Sequence, residues 1–300
     1  MQPLNVALII KNTSAPKERE CRNMGYWSYP VPEFTWRHFW LDRGVTVDLN
    51  TFKDYDLVFH EDTTNDAHYR RLGVRPLVFM DIDSTLSERH LWERRKISTQ
   101  ADLVLTDHAP LEWFKDGRGP VRRLGYCVNE RVFNDYGLPK SVDLTFHCST
   151  GSSKNAPGAK ERREIRALLN AYAEQKKLVY RSGVLGLPDY AKAFNAARVC
   201  INWPRTPTNR PHRVFDVMAS RSCLVTGKLP EVDGDDIEAG KHYIEFGNQR
   251  ELIEQLNALF EAPERIDEIA NAGYRHTINT HTWAHCAKRI RQILNEELGI

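Results

Sequence analysis

Short apolar runs recur along the whole chain, most of them followed by an amphipathic or polar stretch of helix length. A parallel sheet with helices on its faces satisfies that pattern. In the first half Leu4 to Ile10, Val45 to Leu49, Leu57 to His60, Leu77 to Met80, Ala101 to Thr106 and Val121 to Leu124 read as strands, with Phe34 to Leu41 as a helix. In the second half the order is strand Val142 to Cys148, helix Arg162 to Gln175, strand Leu178 to Tyr180, helix Asp189 to Asn195 and strand Arg198 to Asn202. Helix Pro211 to Ser220 and strand Cys223 to Thr226 follow. The tail is helical: Leu252, Leu256 and Leu259 share one face, Ile266 and Ile269 the next, and Trp283, Ala287, Ile290, Leu294 and Leu298 form a last stripe.

Three hundred residues is about twice the usual single-domain size. The Gly137-Leu-Pro-Lys140 break, followed by a fresh apolar strand, divides the chain into expected α/β domains at 1–140 and 141–300. A formal charge of +2 is too mild to demand a polyanionic partner. The first apolar run is too short to span a membrane and lacks a basic leader and cleavage site. Six scattered cysteines without a CxxC pair fit reduced, buried thiols in a cytoplasmic protein better than disulfides or a zinc site.

The most informative stretch is Asn202 to Gly227, which reads strand, polar loop, helix, strand. Pro211 suits a first helical position, so free N–H groups at the helix start, with Asn209, Arg210, His212 and Arg213 beside them, would bind a diphosphate. One turn on, Asp216 is placed to accept two ribose hydroxyls. The same residues also fit an ordinary helix with an Arg213–Asp216 surface pair.

Arg213-Val-Phe-Asp-Val-Met-Ala-Ser followed by Cys223-Leu-Val-Thr resembles the Arg-x-Phe-Glu-Ala-Met-Ala-x-Gly signature of group 1 glycosyltransferases, in particular their CgeB-like branch. Gly240-Lys-His-Tyr-Ile-Glu-Phe, Ile269-Ala-Asn-Ala-Gly-Tyr-Arg and Thr280-His-Thr-Trp-Ala-His-Cys-Ala-Lys-Arg-Ile are similar to the family's closing motifs. Ala101-Asp-Leu-Val-Leu-Thr, Leu124-Gly-Tyr-Cys-Val-Asn-Glu-Arg-Val-Phe and Val142-Asp-Leu-Thr-Phe-His-Cys-Ser-Thr-Gly resemble its mid-chain strands. The resemblance implies a GT-B fold, with two Rossmann-like domains facing across a cleft and a final helix, about 283–298, returning to the first domain. It also implies transfer of a sugar from a nucleotide-sugar, a UDP-sugar expected, held by the second domain, with no cofactor and no metal. Retaining members often carry two Glu residues eight positions apart; here Thr208 and Asp216 occupy those positions. The helix-ending Gly is also replaced, by Arg221 or Ser222, so a different turn is expected there.

Lys154 in a polar loop after Val142 to Cys148, and Arg181 after Leu178 to Tyr180, are further donor-side candidates at a sheet edge. Each is also an ordinary solvated cation. The first domain is expected to supply acceptor recognition and any general base, with His60, Asp81, Asp83 and Asp107 as candidates at strand ends. Asp81-Ile-Asp83 also matches the short Asp-x-Asp metal signature of the GT-A fold, which a nucleotide motif in the second half argues against. Tyr26 and Trp27, in a long loop after the first strand, and His90 are acceptor-side candidates.

The acceptor is expected to be a saccharide or small hydroxylated molecule. A hydroxymethylated base in duplex DNA is the second reading, with Arg89, Arg94, Arg95, Lys96, Arg118, Arg122 and Arg123 as phosphate contacts or as solvated helix faces. A non-catalytic sugar-nucleotide or glycan-binding protein is the third, prompted by Thr208.

Overall fold

A computed structural model describes residues 2–11, 31–41, 45–61, 68–70, 76–81, 88–148, 158–232 and 236–300. The chain divides into two compact units, Met1–Tyr126 with Ala284–Ile300, and Cys127–Trp283.

The first unit holds β1 (Leu4–Lys11), β2 (Phe34–Leu41), β3 (Thr46–Asp48), β4 (Leu57–Glu61), β5 (His68–Arg70), β6 (Leu77–Asp81), helix α1 (Glu88–Ser98), β7 (Leu103–Thr106) and β8 (Val121–Arg123). Six of these strands form one sheet in the order β2-β1-β4-β6-β7-β8, each pair parallel. The fully buried runs Leu57 to His60 and Leu77 to Asp81 are the central strands, as expected for a sheet covered on both faces.

Phe34 to Leu41 is a strand, not the expected helix, and pairs residue for residue with all of β1. Its aromatic content favours a pleated surface, where χ1 restriction costs less than in a helix. As an edge strand it leaves Thr35 and Arg37 exposed and buries Phe34, and Trp36 meets Phe59 edge-on at 5.7 Å.

The second unit holds β9 (Val142–His147), α2 (Ala159–Lys176), β10 (Tyr180–Gly183), α3 (Leu187–Ala196), β11 (Ala197–Asn202), α4 (Arg213–Ala219), β12 (Cys223–Gly227), β13 (Ile244–Phe246), α5 (Gln249–Glu261) and α6 (Pro263–Thr280). Its sheet has the order β10-β9-β11-β12-β13 and is parallel throughout. Leu144, Phe146, Val199, Ile201, Cys223 and Val225 pack against Ile165 and Leu169 of α2 and Leu252 and Leu256 of α5. Local signals fix the helix ends: the Asn248 side chain accepts the Glu251 N–H at 3.0 Å, while Glu251 accepts the Gly247 N–H at 2.7 Å.

The last helix, α7 (Trp283–Leu298), runs from the second unit into the first. There Arg289 donates to the Leu124 carbonyl at 2.5 Å and Glu297 pairs with Arg122. The five described cysteines are buried. Among the described residues no helix is long and apolar enough to cross a membrane.

Candidate active site

Parallel strands bring their carboxyl ends to one edge, and in the second unit that edge gathers His147, Asn202 and Thr226 from β9, β11 and β12. Arg213 is fixed among them. Its Nε donates to the Tyr190 hydroxyl at 2.5 Å and its Nη1 to Asn202 Oδ1 at 2.8 Å. Tyr190, on α3, donates in turn to the His147 carbonyl. Asn202 donates to Thr226 Oγ1 at 2.8 Å, and Thr226 to the Gly227 carbonyl at 2.9 Å. Every link is a directional bond to a group on the sheet or on α3, so the guanidinium has one orientation. Burial opposes its charge, but the Tyr190 phenol and nearby Cys148 and Asp216 hold its pKa above the ordinary arginine value, so it stays cationic.

Arg162, on the first turn of α2, is 3% exposed and donates twice to the Trp203 carbonyl, at 3.2 and 2.7 Å. Burial, and then the charges of Arg213 and Arg205, push it down to about 10. Arg213 and Arg205 are therefore both close enough to act on the Arg162 charge. Asp216 is 8% exposed, and burial pushes its carboxyl up to about 8 against the pull of Arg213. It is neutral at pH 7 and has a proton to donate as well as lone pairs to accept with.

The helix start differs from expectation. Val214 donates to the Pro211 carbonyl at 3.1 Å, and Phe215 and Asp216 donate to that of His212 at 3.1 and 3.2 Å. These three N–H groups are used within the turn and are not free for a ligand. Burial and the adjacent Arg213 hold His212 well below the ordinary imidazole range, so it is neutral. Asn209 and Arg210 are buried, with the Arg210 guanidinium 5.6 Å from the Phe215 ring centre. Arg181 lies within β10, exposed, its carbonyl accepting from Thr145 at 3.0 Å. Lys154 lies outside the described residues, as do Asp83, Tyr26 and Trp27.

The helix end also differs. Arg221 takes the left-handed conformation itself, at φ 52°, with Arg221 N–H on Met218 O and Ser222 N–H on Val217 O. The turn is therefore the one a Gly would make. Contacts from Arg221 to Asp135 at 2.9 Å and Asn271 at 2.7 Å hold it there.

Beside the arginines a cavity of about 660 Å³ opens at the carboxyl ends of β11, β12 and β13, lined by Gly158, Trp203, Arg205, Gly227, Leu229 and Gly247 among others. A Cβ on Gly227 would sit 2.6 Å from the Trp203 ring, so only glycine admits this wall. In the first unit His60, Asp81 and Asp107 stand at the carboxyl ends of the adjacent strands β4, β6 and β7. Asp81 accepts from Thr106 at 3.0 Å, and Asp107 Oδ1 lies 2.6 Å from His108 Nδ1. All three are buried; His90, on α1, is half-buried.

Residues 146–293 match the family model described as glycosyl transferase-like. Two α/β units with parallel sheets match sucrose-phosphate synthase from Thermosynechococcus elongatus at TM-score 0.62, with 13% identity over 98% of both chains. HepE of Anabaena in complex with UDP-glucose matches at TM-score 0.66, with 13% identity over 98% of this chain and 100% of that one. Residues 146–293 are glycosyl transferase-like, and the chain as a whole has the GT-B fold. A glycosyltransferase from Rickettsia africae has the same fold at TM-score 0.59, with 10% identity over 99% of both chains. No curated protein sequence matches the chain. Of the residues gathered here, Arg213 and Asp216 lie in the glycosyltransferase-like signature, whereas Tyr190, Arg162 and Arg205 carry no such local signal and Asn202 and Thr226 read in the sequence only as strand ends; for Arg162 the first-turn position after β9 is the available signal.

Proposed function

We propose that the chain is a glycosyltransferase that uses a UDP-sugar and holds the donor diphosphate on Arg213. The observation that carries the reading is that Arg213, held by Tyr190 and Asn202, and Arg205 both lie near the buried Arg162, whose pKa burial and then their charges bring to about 10. A diphosphate among them replaces repulsion with charge-assisted hydrogen bonds. The presence of UDP-glucose in HepE supports uridine diphosphate as the nucleotide. Negative charge grows on the leaving diphosphate as the glycosidic bond breaks, and a guanidinium already oriented by Tyr190 and Asn202 stabilises that charge without reorganising. No metal ion is needed at the diphosphate. Asp216 takes the ribose hydroxyls, the cavity lined by Arg205 belongs to the donor side, and Lys154, Arg181, Asn209, Arg210 and His212 keep their donor-side assignment.

Of the acceptor-side groups, Asp107 is the best proton acceptor, because its Oδ2 makes no hydrogen bond among the described residues. Asp81 stands on the neighbouring strand β6 and His60 on β4 beyond it, and Tyr26, Trp27, Asp83 and His90 remain with the acceptor. A saccharide or small hydroxylated acceptor is favoured over DNA by the state of the basic residues. Arg89 pairs with Glu93 at 3.0 Å, Arg95 donates to Trp113 O at 2.7 Å and Arg118 pairs with Asp102 at 3.3 Å. Arg94 is buried, Arg122 pairs with Glu297, Arg123 donates to Ala109 O at 2.8 Å and Lys96 sits 3.4 Å over the Trp92 ring. The buried cysteines suit a reducing, cytoplasmic setting.

The test is a thermal-shift series with UDP-, GDP-, ADP- and TDP-sugars, since a ligand that binds only the native state raises its melting temperature. UDP-sugars should give the largest shift, and a panel of hydroxyl acceptors should then release UDP. No shift with any nucleotide sinks the donor assignment. A shift without UDP release across the panel would make the chain a binding protein, in line with Thr208 replacing the first Glu.

A further inference from the structure

Three imidazoles and a carboxylate meet where α6 gives way to α7, beside Phe215 of α4. His276 Nε2 lies 2.8 Å and His281 Nε2 3.0 Å from the same Asp236 Oδ1. The three ligand atoms all fall within 4.8 Å of one another. The His281 ring packs 4.5 Å from that of Phe215, and the His276 ring packs 4.5 Å from that of His242.

We propose that Asp236, His276 and His281 form a binding site for a divalent first-row transition ion, with Zn²⁺ the best-matched. Two imidazole nitrogens and one carboxylate oxygen are the borderline donor set such ions select over Mg²⁺ or Ca²⁺, which take oxygen alone. Ligand atoms on a tetrahedral ion with bonds of about 2.0–2.2 Å stand roughly 3.3–3.5 Å apart, so the observed spacing opens to that geometry by small side-chain rotations. His242 is not a fourth ligand. Its Nδ1 accepts the Glu238 N–H at 3.0 Å, which leaves the proton on Nε2 and no lone pair to offer. The fourth position therefore goes to water, on the side where Asp236 is 53% exposed. His276 and His281 are 14% and 7% exposed, and that burial fixes their rings before the ion arrives.

The ion would be a clamp. It would tie the chain at Asp236, five residues beyond the cavity-lining Glu231, to the end of α6 and to His281, whose carbonyl accepts the Val128 N–H at 2.7 Å. The site does not depend on the donor assignment, because none of its ligands is among the residues given to the nucleotide.

The whole chain, stripped with chelator and dialysed against Zn²⁺, should retain one equivalent by elemental analysis and melt at a higher temperature than the stripped form. Co²⁺ in its place should give visible d–d absorption of four-coordinate type. Asp236→Asn, at a half-exposed position where misfolding is a small risk, and His276→Gln should each lose the retained equivalent, the cobalt spectrum and the thermal shift. Circular dichroism and the UDP-sugar shift of these variants report separately on fold and donor site. Zn²⁺ absent from the wild-type chain, or retained unchanged by both variants, overturns the proposal and leaves a hydrogen-bonded Asp–His–His cluster.

Discussion

The hydroxyl of Tyr190 accepts the Nε proton of Arg213 at 2.5 Å while giving its own proton to the His147 carbonyl. The phenol thus couples the proposed diphosphate-binding cation to the end of β9. Burial pushes the Tyr190 pKa up despite the nearby Arg213, which keeps the phenolic proton in place for that second bond. Tyr190→Phe keeps the ring beside Phe194, 4.5 Å away, and removes only the two hydrogen bonds. A lost bond to a charged group is worth about 1.5–3 kcal/mol, so kcat/KM should fall roughly 10- to 100-fold. In steady-state kinetics the Tyr190→Phe, Arg213→Ala double variant should be little worse than Arg213→Ala alone; full additivity would show that the phenol acts elsewhere.

Arg213 and Asp216 share a helix but have different assigned tasks. Arg213→Ala should lower kcat by about 100-fold or more, because the guanidinium gains strength as charge develops on the leaving group. Asp216→Ala should mainly raise the donor KM, by a few kcal/mol at most, because ribose contacts are equally strong before and during reaction. Wild-type kinetics for both, in variants whose circular dichroism is unchanged, would send the search for the donor site elsewhere.

Asp216 also sets a pH dependence of stability. Its folded pKa of about 8 lies above the unfolded carboxylate value, so the folded state keeps a proton that the unfolded state releases. The associated stability is full below the unfolded pKa of about 3.9 and is lost as pH rises toward about 8, after which the curve levels. Asp216→Asn cannot ionise. Melting temperatures measured from about pH 5 to about pH 9 should therefore fall less steeply for this variant than for wild type, and parallel curves would mean the carboxyl is already ionised at neutral pH.

Arg221 occupies a left-handed backbone position at the end of α4, which costs an L-residue with a Cβ roughly 1–2 kcal/mol. Arg221→Gly and Arg221→Ala both lose the contacts with Asp135 and Asn271, but only the glycine relieves the backbone. Urea unfolding should place the Gly variant about 1 kcal/mol above the Ala variant. Equal midpoints would show that the turn carries no strain.

The strand set of the second unit was legible because β11 and β12 carry the short buried apolar runs Val199 to Ile201 and Cys223 to Val225, and β9 alternates Leu144 and Phe146 with polar residues. Phe34 to Leu41 was not legible as a strand: an eight-residue edge strand carries charges on its open side, and its spacing then mimics a helix. The donor site was half legible. Arg213 and Asp216 lie in one contiguous signature, whereas Arg162 and Tyr190 lie 51 and 23 residues before Arg213 and reach it only through the fold.

The sequence by itself determined the parallel α/β class, the position of the nucleotide signature and the helical tail, since each rests on periodicity or adjacency that survives in one dimension. The tertiary structure alone decided which cations crowd together, that the first N–H groups of α4 are consumed by their own turn, and that Asp216 is buried enough to hold its proton. It also decided that Asp236, His276 and His281 converge, 45 residues of chain lying between the first and last of them. Desolvation and Coulomb repulsion depend on distance in space, and separation along the chain does not encode it.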